Sequence, residues 1–192
     1  MGKALRTNVP KNPLWCHWIA MSNRYLSYNL PAMAKFETAK TLEDLDAESK
    51  YLVHKAKEAA THAYAPYSKF HVGAALLMDD GSYMTGTNQE NAAFPAGMCA
   101  ERVALYAAAA ANTTAKITKI AVVARRKGGK DLVPATSCGT CRQAMLEFET
   151  RQKSPIQIVM LDRQHNWIIA PSAESLLPYG FTKSNMEQPD KK

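Results

Sequence analysis

From residue 41 onward, apolar and polar positions follow first a helical period and then strand periods. TLEDLDAESKYLVHKAKEAATHAY sets Leu42, Leu45, Leu52, Val53, Ala56 and Ala60 at helical spacing, with Thr41 as the expected N-cap and acids in the first turn. YAPYS breaks the period, and KFHVGAALLM then reads as a buried strand. DDGS is a hairpin turn and YMTGTNQ the returning strand. MCAERVALYAAAAA predicts a strong helix starting near Cys99, and ITKIAVVA a strand covered on both faces. RRKGGKDLVPAT is a loop, and CGTCRQAMLEFET opens another helix, again with cysteine at its start. IQIVML and NWIIA are strands flanking DRQH, and SAESLLPYGF is a short helix ended by Pro178. This order implies an α/β fold in which one mixed five-stranded sheet lies between helices as a three-layer α/β/α sandwich.

Residues 1–40 show no sustained period and mix Pro10, Pro13 and Pro31 with Trp15 and Trp18. They are expected to form an N-terminal extension, either a flexible arm or an upstream start, with an organelle presequence or a partner-binding arm as further readings. The folded domain is expected over 41–183, followed by a polar tail over 184–192. At 192 residues the chain is long enough for one domain with a real core. The net charge is +7, but +5 of it comes from Lys3, Arg6, Lys11, Arg24 and Lys35 within residues 1–36, which hold no acid. The rest is mildly basic and lacks basic-aromatic interleaving, so no nucleic-acid partner is expected. No apolar run approaches the ~20 residues of a membrane span. With no export signal visible, a cytoplasmic location is expected.

The chemistry concentrates in the cysteines. There are four, Cys16, Cys99, Cys138 and Cys141. A C-x-x-C pair such as Cys138 and Cys141 can be a redox couple, half of a structural zinc site or half of a catalytic one. Cys99 is a good third ligand, because it too opens a helix, where unpaired N–H groups favour thiolate. Three thiolates on Zn²⁺ leave a surplus negative charge that Arg102 and Arg142, within a turn of the ligands, could offset by donating to sulfur. A fourth protein ligand would close the site, but Cys16 lies in the irregular segment and no histidine adjoins either cluster. Water is the alternative, and Glu101, two residues past Cys99, is badly placed as a ligand and well placed to take a proton from such a water. Taken singly these features are weak: Glu101 alone would be a helix-start acid.

Together, NQENAAFPAGMCAER and SCGTCRQ resemble the nucleoside cytidine deaminases of the short, three-cysteine type. The resemblance runs from about residue 45 to Phe181, through YAPYSKFHVGAALL and LLPYGF, and leaves out 1–40. It implies one Zn²⁺ per subunit on Cys99, Cys138 and Cys141, with Glu101 as a non-ligand proton shuttle. The implied activity is hydrolytic deamination of cytidine and 2′-deoxycytidine to the uridine products and ammonia, in pyrimidine salvage. Asn88 and Glu90 match the N-x-E pair that holds the ribose 3′-hydroxyl, and period two would put both on one strand face. Phe70 matches the aromatic wall against the pyrimidine, and main-chain groups around Ala100 would read the base edge. Phe94 and Phe181 resemble positions packing over a neighbouring subunit's site, and short members of the family are homotetramers.

Two positions depart from the pattern. Ser137 stands where proline usually precedes the C-x-x-C, and Phe94 where tyrosine is common. The rival readings are a deaminase of a nucleoside analogue of the blasticidin S type, a nucleic-acid editor, a non-enzymatic zinc-stabilised binding module and a thioredoxin-like redox protein.

Overall fold

The computed structural model describes residues 35–111 and 114–187. The expected extension over 1–34 and the end of the expected tail lie outside the described residues. Ten elements follow in order: β1 (Glu37–Ala39), α1 (Ala47–Ala59), β2 (Phe70–Met78), β3 (Tyr83–Thr87), α2 (Ala100–Ala110), β4 (Ile117–Arg126), α3 (Gly139–Gln152), β5 (Gln157–Leu161), β6 (Trp167–Ala170) and α4 (Ala173–Leu176). The strands form one sheet in the order β1-β6-β5-β4-β2-β3. Only the β4–β5 pair is parallel, and α3 makes the crossover between them. The expected mixed sheet is present with six strands rather than five. The extra strand is β1, which pairs with β6 through Glu37 and Ile169. Three residues reading Glu-Thr-Ala carry no period, so only the pairing reveals them, and the sheet begins inside the segment assigned to the extension.

Alternation along the central strands builds the three layers. Ile120 and Val122 of β4, with Ala74 and Leu76 of β2, face α2 and α3, where Leu105, Met145 and Phe148 pack on them. Ala121 and Val123 face the other way, against Leu52, Val53 and Ala56 of α1.

Helix α1 begins later than expected, because Asp46 and not Thr41 caps it. The Asp46 carboxylate accepts from Ser49 N at 2.9 Å, while Thr41 spends its N–H and hydroxyl on Asp44. Asp46 also receives the buried Lys119 ammonium at 2.8 Å, with Glu48 3.1 Å from the same nitrogen. Burial alone would raise the Asp46 pKa, but Lys119 and Ser49 outweigh it and bring it down to about 2. A second buried acid, Glu149 of α3, accepts from Ile156 N (2.6 Å), Ala173 N (2.7 Å) and Glu174 N (3.1 Å), tying α3 to β5 and α4. Past α4, Lys183–Asn185 forms a 3-10 turn capped by Thr182, so ordered structure continues into the segment assigned to the tail.

Two glycines set helix positions. A Cβ on Gly73 of β2 would lie 2.0 Å from Ala56 O of α1, and one on Gly86 of β3 2.4 Å from Ala100 O of α2. Both helices therefore lie on the sheet closer than any side chain would allow.

Candidate active site

Cys99 and Cys138 occupy the N-cap positions of α2 and α3, and neither uses its side chain as a cap. Their sulfurs point instead toward each other, with Sγ–Sγ 4.0 Å. Cys141, one turn into α3 and fully buried, completes a trio whose sulfurs all lie within 4.8 Å of one another. Tetrahedral zinc with Zn–S near 2.3 Å puts its sulfurs about 3.8 Å apart, so the donor set fits that ion with little adjustment. Among the described residues this is the only cluster of its kind, and Cys16 lies outside them. No disulfide joins Cys138 and Cys141.

Cys99 and Cys141 are shifted in opposite directions. Hydrogen bonding from Cys141 and from the Arg102 guanidinium lowers the Cys99 pKa, whereas sharing that proton and being buried raise that of Cys141. Arg102 donates Nη2 to Cys99 Sγ at 3.6 Å, as expected, and that contact raises its own pKa. Arg142 does not follow the expectation of a bond to sulfur. It donates Nε to Ser137 O (2.9 Å) and Nη1 to Leu176 O (3.1 Å), bracing the loop before Cys138 against α4. Its side chain runs back past the helix start, where Ser137 O lies.

Glu101, in the first turn of α2, is 4% exposed. Burial raises its pKa and the charge on Cys99 adds to this, while Ser137 and Cys141 oppose it. It lines a cavity of about 650 Å³ together with Cys99, Cys138, Ala100, Phe70, Asn88 and Glu90. Residues from four separate stretches of chain thus meet in one place. The arrangement offers three soft metal donors, a buried carboxylate kept toward its protonated form, an aromatic wall and a polar far end.

The polar far end lies just past β3, which ends at Thr87. Asn88 and Glu90 flank Gln89, which bridges Tyr64 and Met98, and both line the cavity. Asn88 Oδ1 accepts from Val72 N (2.8 Å) and its Nδ2 donates to Phe70 O (2.9 Å), so the side chain continues the ladder with β2. Glu90 accepts from Tyr67 N (2.9 Å), from Ser68 N (3.2 Å) and from the Ser68 hydroxyl. That hydroxyl is the main cause of its lowered pKa. An amide has four hydrogen-bonding places and a carboxylate about four, so each retains capacity for a ligand hydroxyl. Tyr67 and Ser68 were not anticipated, although a tyrosine and serine between Pro66 and a strand form a ready donor turn.

Phe70 lines the cavity with the Arg126 guanidinium 5.9 Å from its ring centre. Phe94 lines the mouth, 76% exposed, and touches Tyr67 edge to face at 6.0 Å. Phe181 is 58% exposed and is not among the residues lining this cavity; Gln143 holds its backbone through both amide groups.

Residues 46–154 match the family model described as the cytidine and deoxycytidylate deaminase zinc-binding region. The chain is 37% identical over 135 residues to a cytidine deaminase of Sporosarcina psychrophila, covering 70% of this chain and 92% of that protein. It is 40% identical over 135 residues to one of Halalkalibacterium halodurans, covering 70% and 95%. Among solved structures it is similar to a cytidine deaminase from Burkholderia pseudomallei, with 38% identity and a TM-score of 0.58 over 71% of this chain and 100% of the other.

Proposed function

The chain belongs to the zinc-binding cytidine and deoxycytidylate deaminase family, and on that premise we propose how its own residues divide the work. It is a zinc-dependent cytidine deaminase, which exchanges the exocyclic amine of cytidine for oxygen and so yields uridine and ammonia, a pyrimidine salvage reaction. Deoxycytidine is the second substrate proposed. The observation that carries this reading is the convergence of three sulfurs at two helix starts with a buried carboxylate in the same cavity.

Cys99, Cys138 and Cys141 hold the zinc, which when bound supplies the Lewis-acid chemistry that makes water a nucleophile at neutral pH. Arg102 offsets the thiolate charge. Glu101 takes one proton from the attacking water and delivers it to ring N3; it then takes the second, from the hydroxyl now bonded to C4, and passes it to the departing amine as the C4–N bond breaks and the carbonyl forms. A carboxylate whose pKa is raised by burial suits both halves of that task, since it holds a proton more readily than an exposed carboxylate does and can pass it on. Phe70 lies against the pyrimidine, the main chain at Ala100 reads the base edge, and the spare capacity of Asn88 and Glu90 takes the ribose hydroxyl.

The working assembly is a homotetramer in the cytoplasm, a reading supported by the exposure of Phe94 beside the cavity mouth and of Phe181. Each would then cover a neighbouring subunit's site. The catalytic domain is taken to span Glu37 to about residue 186, with 1–36 as an extension. No helix among the described residues is long and apolar enough to cross a membrane.

Glu101→Gln tests the reading. It is expected to retain zinc and to lose at least ~10²–10⁴ in turnover, the usual share of general acid–base help. Near-normal turnover would end the proposed role. Cys138→Ala is expected to lower bound zinc, and full retention would refute the ligand set.

A further inference from the structure

Glu90 has one accepting place left, and its bonds show where that place lies. A carboxylate offers about four, two on each oxygen. One turn of chain fills three of them. Oε2 accepts the N–H groups of Tyr67 (2.9 Å) and Ser68 (3.2 Å), and Oε1 accepts the Ser68 hydroxyl. Oε2 is therefore full, and a ligand hydroxyl enters at the second place on Oε1. That is the oxygen Ser68 grips.

The Ser68 hydroxyl is itself aimed. It accepts the N–H of Phe70 at 3.0 Å, so its single proton goes to Glu90. Lys69, between them, takes φ 57°, a left-handed conformation that costs a lysine energy and persists only when its surroundings hold it. Two backbone bonds do so: its N–H donates to Ala65 O (3.2 Å), and its carbonyl accepts from Lys127 N (2.9 Å). Phe70 N–H, the Ser68 hydroxyl and Glu90 Oε1 thus form one chain of hydrogen bonds from the aromatic wall to the polar end. Tyr67, Ser68, Phe70 and Glu90 all line the same cavity. Of the donors on Glu90, the hydroxyl is the one that comes from a side chain.

We propose that Ser68 is a positioning residue for nucleoside binding, its hydroxyl fixing Glu90 Oε1 so that the open place on that oxygen meets the ribose 3′-hydroxyl. The proposal rests on Glu90 being the sugar acceptor. Ser68 acts through that one contact, so its loss is felt by a nucleoside that carries the 3′-hydroxyl and not by one that lacks it. A merely structural role would slow both alike.

The test uses the full-length zinc-loaded enzyme and the variants Ser68→Ala, Ser68→Thr and Glu90→Gln. For each, kcat/KM is measured on cytidine and on 3′-deoxycytidine, beside zinc per chain and Tm. The parent is expected to prefer cytidine. Ser68→Ala is expected to lose about tenfold on cytidine, the scale of one hydrogen bond to a charged group. On 3′-deoxycytidine it should stay within about twofold of the parent, with full zinc. Ser68→Thr, which keeps the hydroxyl, is expected to recover most of the cytidine rate. If threonine does not fold, the two substrates on Ser68→Ala decide alone.

The proposal is overturned if Ser68→Ala keeps the parent rate on cytidine, if it loses as much on 3′-deoxycytidine, if its loss follows zinc, or if folded Ser68→Thr is as slow as alanine. A parent indifferent to the 3′-hydroxyl, or a Glu90→Gln that keeps the parent's full preference, removes the reading of Glu90 as well. A Glu90→Gln without the preference beside a Ser68→Ala that retains it removes only the role of Ser68.

Discussion

Gly86→Ala should damage catalysis from the far side of a helix. Gly86 lies in β3, opposite Ala74 of β2, and touches no substrate group. A Cβ there would sit 2.4 Å from Ala100 O, 2.5 Å from Ala104 N and 3.0 Å from Ala104 Cα. All three are backbone atoms of α2, so no side chain can rotate out of the way. Ordinary contact begins at 3.4 Å, so 3.4 − 2.4 gives a required separation of 1.0 Å. The strand is pinned on its other side by β2, and the helix must take most of the movement. Its first turn carries Cys99, Ala100 and Glu101, and a displacement of ~1 Å at reacting groups can cost on the order of 10²-fold. Overpacking of this kind destabilises by roughly 1–3 kcal/mol, with about 2–4 °C of Tm per kcal/mol at this chain length. Two matched variants isolate the cause. Gly73→Ala would press on Ala56 O from 2.0 Å, but it pushes α1 on the opposite face. It should lose stability at least as severely while sparing turnover per folded molecule. Gly139→Ala sits between Cys138 and Cys141, has nothing within 4 Å, and should be close to neutral in both readouts. The assay is kcat/KM per zinc-loaded chain beside Tm. Gly86→Ala within threefold of the parent with unchanged Tm, or Gly139→Ala as damaged as Gly86→Ala, would refute the reasoning.

Glu149→Ala leaves three N–H groups at the junction of α3, β5 and α4 without their acceptor, and should lower unfolding free energy by about 3–5 kcal/mol in urea titration. Glu149→Gln should cost less, and an alanine variant within ~1 kcal/mol of the parent would show that water replaces the carboxylate. Asp46 gives an acid-side prediction. Its folded pKa of about 2 lies below its ordinary 3.8, so its contribution is complete above pH 4 and drains away as pH falls toward 2. Asp46→Asn should therefore be less stable at neutral pH and flatter than the parent between about pH 4 and pH 2, whereas parallel urea midpoints across that window would contradict it.

The helices with long apolar periods and the strands with clear ones were legible in the sequence, and so was the meeting of CAER with C-x-x-C. Those signals are local: a helix start beside a cysteine is visible without knowing its neighbour. What stayed hidden depended on partners far along the chain. β1 exists because β6, 128 or more residues later, offers an edge. Lys119 looks like the solvent-facing position of a strand, and only its bonds to Asp46 and Ser49 across 73 and 70 residues explain its burial. Arg142 was read as a neighbour of the sulfurs from its spacing on the helix, but side-chain direction took it to two carbonyls. Asn88 and Glu90 were identified as a pair, while the donors that fix them come from the turn at Tyr67 and Ser68. Ser137 was visible as a departure from the family, but its burial beside Met160 of β5, 23 residues later, was not.

The most direct measurement follows cytidine absorbance and zinc content on one sample of the full-length protein. The account predicts about one zinc per chain, conversion of cytidine to uridine with one ammonia released per turnover, loss of both zinc and activity under a chelator, and recovery of both on adding zinc. A fully loaded protein that leaves cytidine unchanged, or a metal-free one that converts it at the full rate, would contradict it.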